Sequence, residues 1–215
     1  TAYAFSVILS IVFTILGWAL TPFLLKLIDT PADTLADSIL YLRIYFLGIF
    51  GTLIFNIGSA IMRSIGDSRR PLYYLIVCCF LNIILDLVLV IVFDMGIVGA
   101  AIATIISQAV SAILVTNALM KKYDDCKLYL SKLHIDLLKL RMEFRIGIPS
   151  ALQAFMYSIT NIIIQAAING FGTDTAAAWA SFGKLDALFW TVNGAFGIAI
   201  TTFAGQNYGA GKKER

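Results

Sequence analysis

The sequence predicts an all-α membrane protein that crosses the bilayer six times. Composition is the first sign, because 60% of the 215 residues are hydrophobic and only 13% are charged, whereas soluble domains carry about 25% charged residues. The second sign is that the apolar residues form six long runs separated by polar segments. A transmembrane helix needs about 20 such residues, whereas a transmembrane strand alternates over about ten. The length of the runs and their lack of alternation therefore favour helices.

Each predicted span ends at a polar turn or linker. An acidic segment with a proline follows the first run, and the basic turn "RSIGDSRRP" follows the second. Short turns, "FDMG" and "NGFGTDT", follow the third and fifth runs. The predicted spans cover residues 5–28, 40–62, 71–93, 97–120, 147–169 and 175–204.

The longest connection, residues 121–146, joins the fourth and fifth spans and is rich in Lys and Arg. Its second half, "LHIDLLKLRMEF", alternates apolar and charged residues at helical spacing. This pattern predicts an amphipathic helix that lies in the membrane interface. An ordinary solvated loop is the alternative.

Most of the 16 Lys and Arg residues lie in three segments, residues 63–70, 121–146 and 206–215. With six spans, all three segments fall on the same side of the membrane. The positive-inside rule predicts that this side is cytoplasmic, with the acidic turns outside. The net charge of +3 is too small to indicate a nucleic-acid partner, so the lipid bilayer is the expected environment.

The third span contains two polar residues within an otherwise apolar stretch, "FLNIILDLVLVIVF". These are Asn82 and Asp86, which lie one helical turn apart on the same face. A carboxylate inside a bilayer costs several kcal/mol unless it is protonated, binds a cation or faces water. We therefore interpret this pair as an ion- or proton-coupling site. A purely structural hydrogen bond between helices is the alternative.

Other oxygen-bearing side chains occur at membrane depth and could complete this site. Asn56 and Ser59 lie in the second span, and Thr104 lies in the fourth. Together with Asp86 they would suit a proton or Na+, and no other metal is predicted. Small residues at four-residue spacing in the fourth span are typical of close helix packing. They are Gly99, Ala103, Ser107 and Ser111.

A second set of polar side chains lies in the last two spans. Lys184 and Asp186 are two residues apart, so on a helix they point in different directions and are not natural partners. We expect this set to line a substrate cavity or to pack between helices, and the pattern does not separate these roles. The set comprises Gln153, Asn161, Lys184, Asp186, Trp190 and Asn193.

No motif indicates catalysis or a cofactor. The glycines of "GQNYGAG" follow a membrane span and lack the Lys-Ser/Thr pair of a phosphate-binding loop. The three cysteines are predicted to be free thiols. The sequence therefore predicts neither an enzyme nor a cofactor-binding protein.

Four stretches resemble the MATE family of multidrug and toxic compound extrusion transporters: "AIMRSIGDSRRPLYYLIV", "LNIILDLVLVIVFDMGIVGAAIATIISQ", "IGIPSALQ" and "GQNYGAGKKER". The resemblance covers nearly all of the chain and is strongest to the DinF-like bacterial branch. It implies a twelve-helix transporter with two six-helix lobes, of which this chain would hold the third to eighth helices. Residues 1–120 would end the N-terminal lobe, 121–146 would connect the lobes, and 147–215 would begin the C-terminal lobe.

The resemblance also implies an activity and a site. Family members export cationic, amphipathic compounds in exchange for H+ or Na+, and we expect a monomer in the bacterial cell membrane. Asn82, Asp86, Thr104 and Asn56 match residues of the coupling site in DinF-like members. Ser59 stands where some relatives carry an asparagine.

Two alternatives remain at this point. A lipid-linked oligosaccharide flippase of the same superfamily would need a more basic cavity than Lys184 provides. A channel or a non-transporting membrane scaffold would not explain why a carboxylate, Asp86, lies within a membrane span.

Overall fold

The chain folds into six long helices. A computed structural model describes residues 1–27, 32–123, 127–212 and 214. Parts of the first acidic turn (28–31), of the basic linker (124–126, including Cys126) and of the basic tail (213 and 215) lie outside the described residues. The helices are α1 (Ala2–Leu27), α2 (Ala32–Ser64), α3 (Arg69–Asp86), α4 (Gly96–Lys121), α5 (Leu137–Asn169) and α6 (Thr173–Gly209).

All six helices are long and apolar enough to cross a membrane. The predicted all-α fold and its six spans are therefore confirmed. Large apolar side chains cover the outer surfaces of the helices; Phe80 is 64% exposed and Val92 73%. An apolar surface of this extent suits hydrocarbon rather than water, and helices satisfy their backbone groups internally, as the bilayer requires.

The fifth helix starts ten residues earlier than the sequence analysis expects, at Leu137 rather than at residue 147. The amphipathic stretch of the linker is thus continuous with the fifth span and is not a separate element. Pro149 lies inside α5. Since proline has no backbone N–H, the carbonyl of Arg145 has no i+4 donor. The position of the first turns in the membrane interface stays a prediction.

By packing, the chain divides into two compact units, unit 1 (Thr1–Asp136) and unit 2 (Leu137–Arg215). In unit 1, α2 packs against both α1 and α4, and α3 packs mainly against α4. Helices α2 and α3 contact each other only slightly, so a gap is left between them above α4. In unit 2, α5 contacts α6, and the rings of Tyr157 and Trp190 meet edge to face at 6.4 Å. The predicted lobe boundaries stay predictions.

Glycines allow α2 and α4 to approach closely. A Cβ atom at Gly51 would lie 2.9 Å from the backbone of Gln108, and one at Gly58 would lie 2.3 Å from Cγ1 of Val115. Close approach of this kind is how membrane helices gain packing contacts without a hydrophobic driving force. The core that results is apolar and lies mainly between these two helices. Its buried members are Tyr3, Ile54, Met62, Ala112, Val115, Ala118 and Leu119.

The end of unit 1 where α2 and α4 end and α3 begins is called here the basic end, because it carries Arg63, Arg69, Arg70, Lys121 and Lys122. The turn between α2 and α3 is fixed there by Asp67, which accepts hydrogen bonds from the hydroxyl of Tyr123 (2.5 Å) and the backbone N–H of Arg70 (3.1 Å). The guanidinium of Arg70 lies 3.1 Å from the same carboxylate and stacks over the Tyr123 ring. These three residues, the basic-end clamp, tie the α2–α3 turn to the end of α4.

The clamp keeps Asp67 ionised. Burial raises the pKa of this carboxyl, but the hydrogen bonds from Tyr123 and Arg70 and the charge of Arg70 together outweigh that effect. The pKa of Asp67 therefore lies below its usual value of 3.8. Burial and the hydrogen bond to Asp67 raise the pKa of Tyr123. Both groups keep one protonation state throughout the physiological range.

The packing of α2 on α4 predicts that Gly58→Ala destabilises the protein. The added methyl group meets the fully buried Val115, and overpacking of this kind costs about 1–3 kcal/mol. The thermal midpoint of the purified full-length protein should fall. Gly197→Ala is the matched control, because a Cβ there has no neighbour within 4 Å. Equal midpoints for the two variants would contradict the packing described for α2 and α4.

The clamp predicts a pH-independent loss of stability in Asp67→Asn. Because the folded pKa of Asp67 is lowered, its contribution is complete above the unfolded pKa and is lost only as pH falls through the lower folded value. The substitution should cost about 1 kcal/mol, since the pair is partly solvated. Thermal midpoints at pH 6 and pH 8 should drop equally. A drop at one of these pH values alone would show that Asp67 does not act as an ionised clamp.

Candidate functional site

Three of the five residues predicted for the coupling site line one cavity in unit 1. Asn56 comes from α2, Asn82 from α3 and Thr104 from α4. The cavity fills the gap between α2 and α3 and has a volume of about 340 Å³. It is lined by Thr52, Phe55, Asn56, Leu75, Cys78, Cys79, Asn82, Thr104, Ser107, Gln108 and Ser111. Neither a basic nor an acidic side chain is among these lining residues.

Asp86 lies next to this cavity rather than in its wall. It is the last residue of α3, one helical turn beyond Asn82. Its Oδ1 atom is buried, as is Nδ2 of Asn82, and neither atom has a hydrogen-bond partner in the described part of the chain. Buried polar atoms are nearly always paired. The carboxylate oxygen of Asp86 therefore calls for a proton, a cation or water, and the amide nitrogen of Asn82, a donor, calls for an acceptor such as water.

The helix changes its winding at Asp86. Residues Leu87–Val92 form a π-helical segment, in which the N–H of Phe93 donates to the carbonyl of Val88. Such segments are rare and occur frequently at functional sites, because they shift side chains relative to a regular helix. The sequence run through residue 93 predicts one uninterrupted helix and carries no signal for this change.

Ser59 is also part of the predicted site, and the structure separates it from the cavity wall. Its side chain is 1% exposed, and its hydroxyl oxygen has no partner among the described residues. It lies one turn nearer the basic end than Asn56, on α2. Ser59 is therefore a buried residue between the helices, and it does not line the cavity that Asn56 lines.

The hydroxyl groups in the cavity share one bonding pattern. Thr104 donates to the carbonyl of Ala100 (3.0 Å), Ser107 to that of Thr104 (2.8 Å), and Ser111 to that of Gln108 (2.7 Å). A hydroxyl has one proton and two lone pairs. Because the proton is already donated within the helix, each oxygen offers only acceptor capacity to the cavity. Acceptors of this kind suit a cation.

The sequence analysis missed Gln108 and Thr52 as cavity residues. Gln108 lies four residues after Thr104, hence on the same helix face, and this spacing was the available signal. The four small residues of α4 are buried, as a packing stripe predicts. Two of them, Ser107 and Ser111, also line the cavity. These two residues therefore both allow close helix packing and contribute polar groups to the cavity.

Arg43 is a second basic side chain within a span, and the sequence analysis missed it because it considered only Lys184. Arg43 lies within the second span, and its guanidinium carbon sits 4.4 Å from the centre of the Trp18 ring. Its Nε atom is buried and has no hydrogen-bond partner in the ranges described. The cation–π contact is the interaction that compensates for its burial.

The second predicted set, in unit 2, is not gathered into a cavity by any described contact. Asp186 accepts a hydrogen bond from the indole N–H of Trp190 (3.1 Å), one turn along α6. Lys184 and Asp186 form no ion pair in the described structure, as their spacing predicts. Within this chain the side chains of Gln153, Asn161, Lys184 and Asn193 are exposed. Their role as a substrate cavity stays a prediction.

Known proteins resemble this chain over most of its length. The MatE family model matches residues 1–88 and 149–215. The probable multidrug resistance protein YpnP of Bacillus subtilis (strain 168) is 30% identical over 96% of this chain and 46% of its own length. YoeA of the same strain, also a probable multidrug resistance protein, is 28% identical over 100% of this chain and 48% of its own length.

A solved structure shows the same fold. The outward-facing conformation of a multidrug resistance MATE family transporter of the MOP superfamily matches with a TM-score of 0.89 and 26% identity. The match covers 99% of this chain and 48% of that chain. The chain thus spans about half the length of the relatives it matches.

Proposed function

This chain belongs to the MatE family, and we propose from that premise that the protein is a secondary antiporter that exports cationic, amphipathic compounds in exchange for H+ or Na+. Members of the family are transporters, so the prediction that the chain is not an enzyme is confirmed. The observation that carries the proposal is the cavity of unit 1. It gathers amide and hydroxyl oxygens from three helices beside a buried, unpartnered carboxylate oxygen of Asp86.

The coupling group is Asp86. An unpaired carboxylate in a membrane helix is costly as an anion, and that cost falls when it binds a proton or a cation. Asn82, one helical turn before it, and Thr104 and Asn56 in the adjoining cavity carry neutral oxygens, so a Na+ bound there would keep oxygen ligands after losing water. No cofactor is needed, because the gradient of the coupling ion drives export.

Binding at Asp86 changes how α3 packs. An ion can drive a conformational change only by as much as it prefers one state over the other. The carboxylate stands where α3 passes into its π-helical segment, next to α4. Neutralising Asp86 there favours closer packing of α3 on its neighbours, whereas the free anion favours a state in which water reaches it. Alternation between these states couples ion entry to substrate exit.

The cavity favours drug export over the flippase alternative. A lipid-linked oligosaccharide carries phosphate groups, which basic side chains recognise, and this cavity is lined by neutral residues. Arg43 stacks on Trp18 and is not among the lining residues. The acceptor oxygens carry partial negative charge, so they favour a cationic substrate over an anionic one. In unit 2 we assign substrate contacts to Lys184, Asp186, Gln153, Asn161, Trp190 and Asn193.

The protein crosses the bacterial cell membrane with its basic segments in the cytoplasm. Residues 63–70, 121–146 and 206–215 then lie inside, and the first, third and fifth turns lie outside. The basic end of unit 1, with its clamp, faces the cytoplasm in this orientation. We propose that the full-length transporter acts as a monomer.

The orientation predicts opposite labelling of two engineered cysteines. In full-length protein lacking its native cysteines, a cysteine replacing Ser68 should react with a membrane-impermeant thiol reagent only after the cells are opened. A cysteine replacing Thr34 should react in intact cells. The distribution of Lys and Arg is the physical reason. Reaction at position 68 in intact cells would reverse the orientation.

The coupling role predicts that Asp86→Asn abolishes ion-driven export. The amide is nearly isosteric and is cheaper to bury than a carboxylate, so folding and the thermal midpoint should be kept or improved. Efflux of a cationic dye from proteoliposomes should lose its dependence on the H+ and Na+ gradients and fall to the protein-free rate.

The matched control for this variant is Asp94→Asn, which removes an exposed carboxylate from the turn after the same span. Asparagine tolerates the positive φ of 52° at that position. Export by this control should equal that of the wild type. Wild-type efflux by Asp86→Asn across pH and Na+ concentration would leave Asp86 a structural residue.

A further inference from the structure

A second cavity lies at the end of unit 1 opposite the basic end, where α1 ends and α2 and α4 begin. This end is called here the outer end, and the cavity is called the outer cavity. We propose that the outer cavity binds organic cations and is the position from which the exported substrate leaves. The inference rests on the proposed export function and adds a substrate site to it. The cavity has a volume of about 420 Å³ and is lined by Leu25, Thr34, Asp37, Ser38, Tyr41, Leu42 and Ile97.

Asp37 gives the outer cavity a negative charge. Its side chain is exposed, and it forms no ion pair in the part of the chain that the structure describes. Lys26 follows Leu25 on α1 but is not paired with Asp37, and the guanidinium of Arg43 lies over the Trp18 ring instead. Residues 28–33, which connect α1 to the start of α2, include no basic residue. The cavity therefore offers a carboxylate that is available to a positively charged ligand.

An aromatic and apolar wall stands beside this carboxylate. Tyr41 lies one helical turn after Asp37, and its ring stacks on that of Tyr45, with 6.2 Å between the centroids and 20° between the planes. The faces of aromatic rings carry partial negative charge and attract cations. Leu25, which is 7% exposed, and Ile97 add apolar surface from α1 and α4. A carboxylate, an aromatic face and apolar surface together fit a ligand that is both cationic and amphipathic.

A metal ion fits the outer cavity less well than an organic cation does. A cation such as Ca2+ takes about six to eight oxygen ligands, whereas the described lining supplies one carboxylate and the hydroxyls of Thr34 and Ser38. Only a ligand with hydrocarbon surface gains from contact with the apolar wall. The volume of about 420 Å³ also lies in the range of small-molecule pockets, about 300–1,000 Å³.

The outer cavity lies on the same side of α2 as the cavity described above, which is called here the coupling cavity. Tyr41, Tyr45, Thr52 and Asn56 follow one another along α2 at intervals of four, seven and four residues. Such intervals place side chains on one side of a helix. The first of these residues lines the outer cavity and the last two line the coupling cavity. In the orientation proposed above the outer end faces the exterior, so a cation bound there is on the side to which substrate is exported.

Protection of an engineered cysteine tests the proposal. In the full-length protein lacking its native cysteines, a cysteine replacing Ser38 stands in the wall of the outer cavity. Ethidium, a planar aromatic cation, should slow the reaction of this cysteine with N-ethylmaleimide, and the ethidium concentration that halves the rate measures binding. Phenanthridine, which has the same ring system but is uncharged at neutral pH, should protect only at higher concentration. A cysteine replacing Phe93, an exposed residue outside the lining at the same end, should not be protected.

Variants in the cysteine-38 background assign the binding to the charge and the ring. Asp37→Asn should raise the half-protecting concentration of ethidium about three- to fivefold, the effect of losing a solvent-accessible ion pair, and leave that of phenanthridine unchanged. Tyr41→Leu should raise it about threefold because a cation–π contact is lost, whereas Tyr41→Phe keeps the ring and should match the parent protein. Asp94→Asn removes an exposed carboxylate from the same end, outside the lining, and should also match it.

Three results would overturn the proposal: equal protection by ethidium and phenanthridine, equal protection at positions 38 and 93, or an unchanged ethidium value in Asp37→Asn. Failure of the proposed export function gives a different result. If ethidium binds as expected but proteoliposomes show no gradient-driven export of ethidium, the binding site stands and the export function fails. Gradient-driven export of ethidium without protection at position 38 would keep the exporter and refute the outer cavity.

Discussion

The close approach of α2 to α4 is the constraint on which unit 1 depends. At Gly51 and Gly58 no side chain fits between these helices, because the backbone or a buried valine of α4 occupies that space. The helices thus meet along most of their length and form a shared apolar core toward the basic end. Helix α3 packs on α4 but hardly touches α2, and the cavity fills the gap that remains. The packing of both α2 and α3 on α4, with little contact between α2 and α3, therefore creates a polar space that all three helices line.

Inside a bilayer every polar group must find a partner, and the structure meets this requirement with local bonds almost everywhere. Serine and threonine hydroxyls donate to carbonyls of their own helix, as Thr104 and Ser111 do. Against this background the buried unpartnered atoms of Asn82 and Asp86 stand out. Asp86 directly precedes the π-helical segment and Asn82 lies one turn earlier, so unmet polar capacity and an altered backbone coincide at the end of α3, as they frequently do at functional sites.

The sequence predicts the six helices because their signal is local: each is a long apolar run bounded by polar residues. It also identifies Asp86 and Asn82, since charge within such a run is rare. Other features depend on contacts between helices and have no local signal. The π-helical segment, the placement of Ser59 outside the coupling cavity and the outer cavity beside Asp37 are of this kind. The early start of α5 was misjudged because residues 137–146 were assigned to the linker as a separate interfacial helix, whereas the helix runs from Leu137 through Pro149 into the span.

The central claim is that Asp86 changes its protonation or ion-binding state at the edge of the cavity. Infrared difference spectroscopy of the full-length protein, titrated with Na+ and with pH, measures the carbonyl band of protonated carboxyl groups directly. The account predicts a band that disappears as Na+ or pH rises in the wild type and is missing from Asp86→Asn, while Asp94→Asn retains it. Identical difference spectra for the wild type and Asp86→Asn would contradict the account, because the titrating carboxyl would then lie elsewhere.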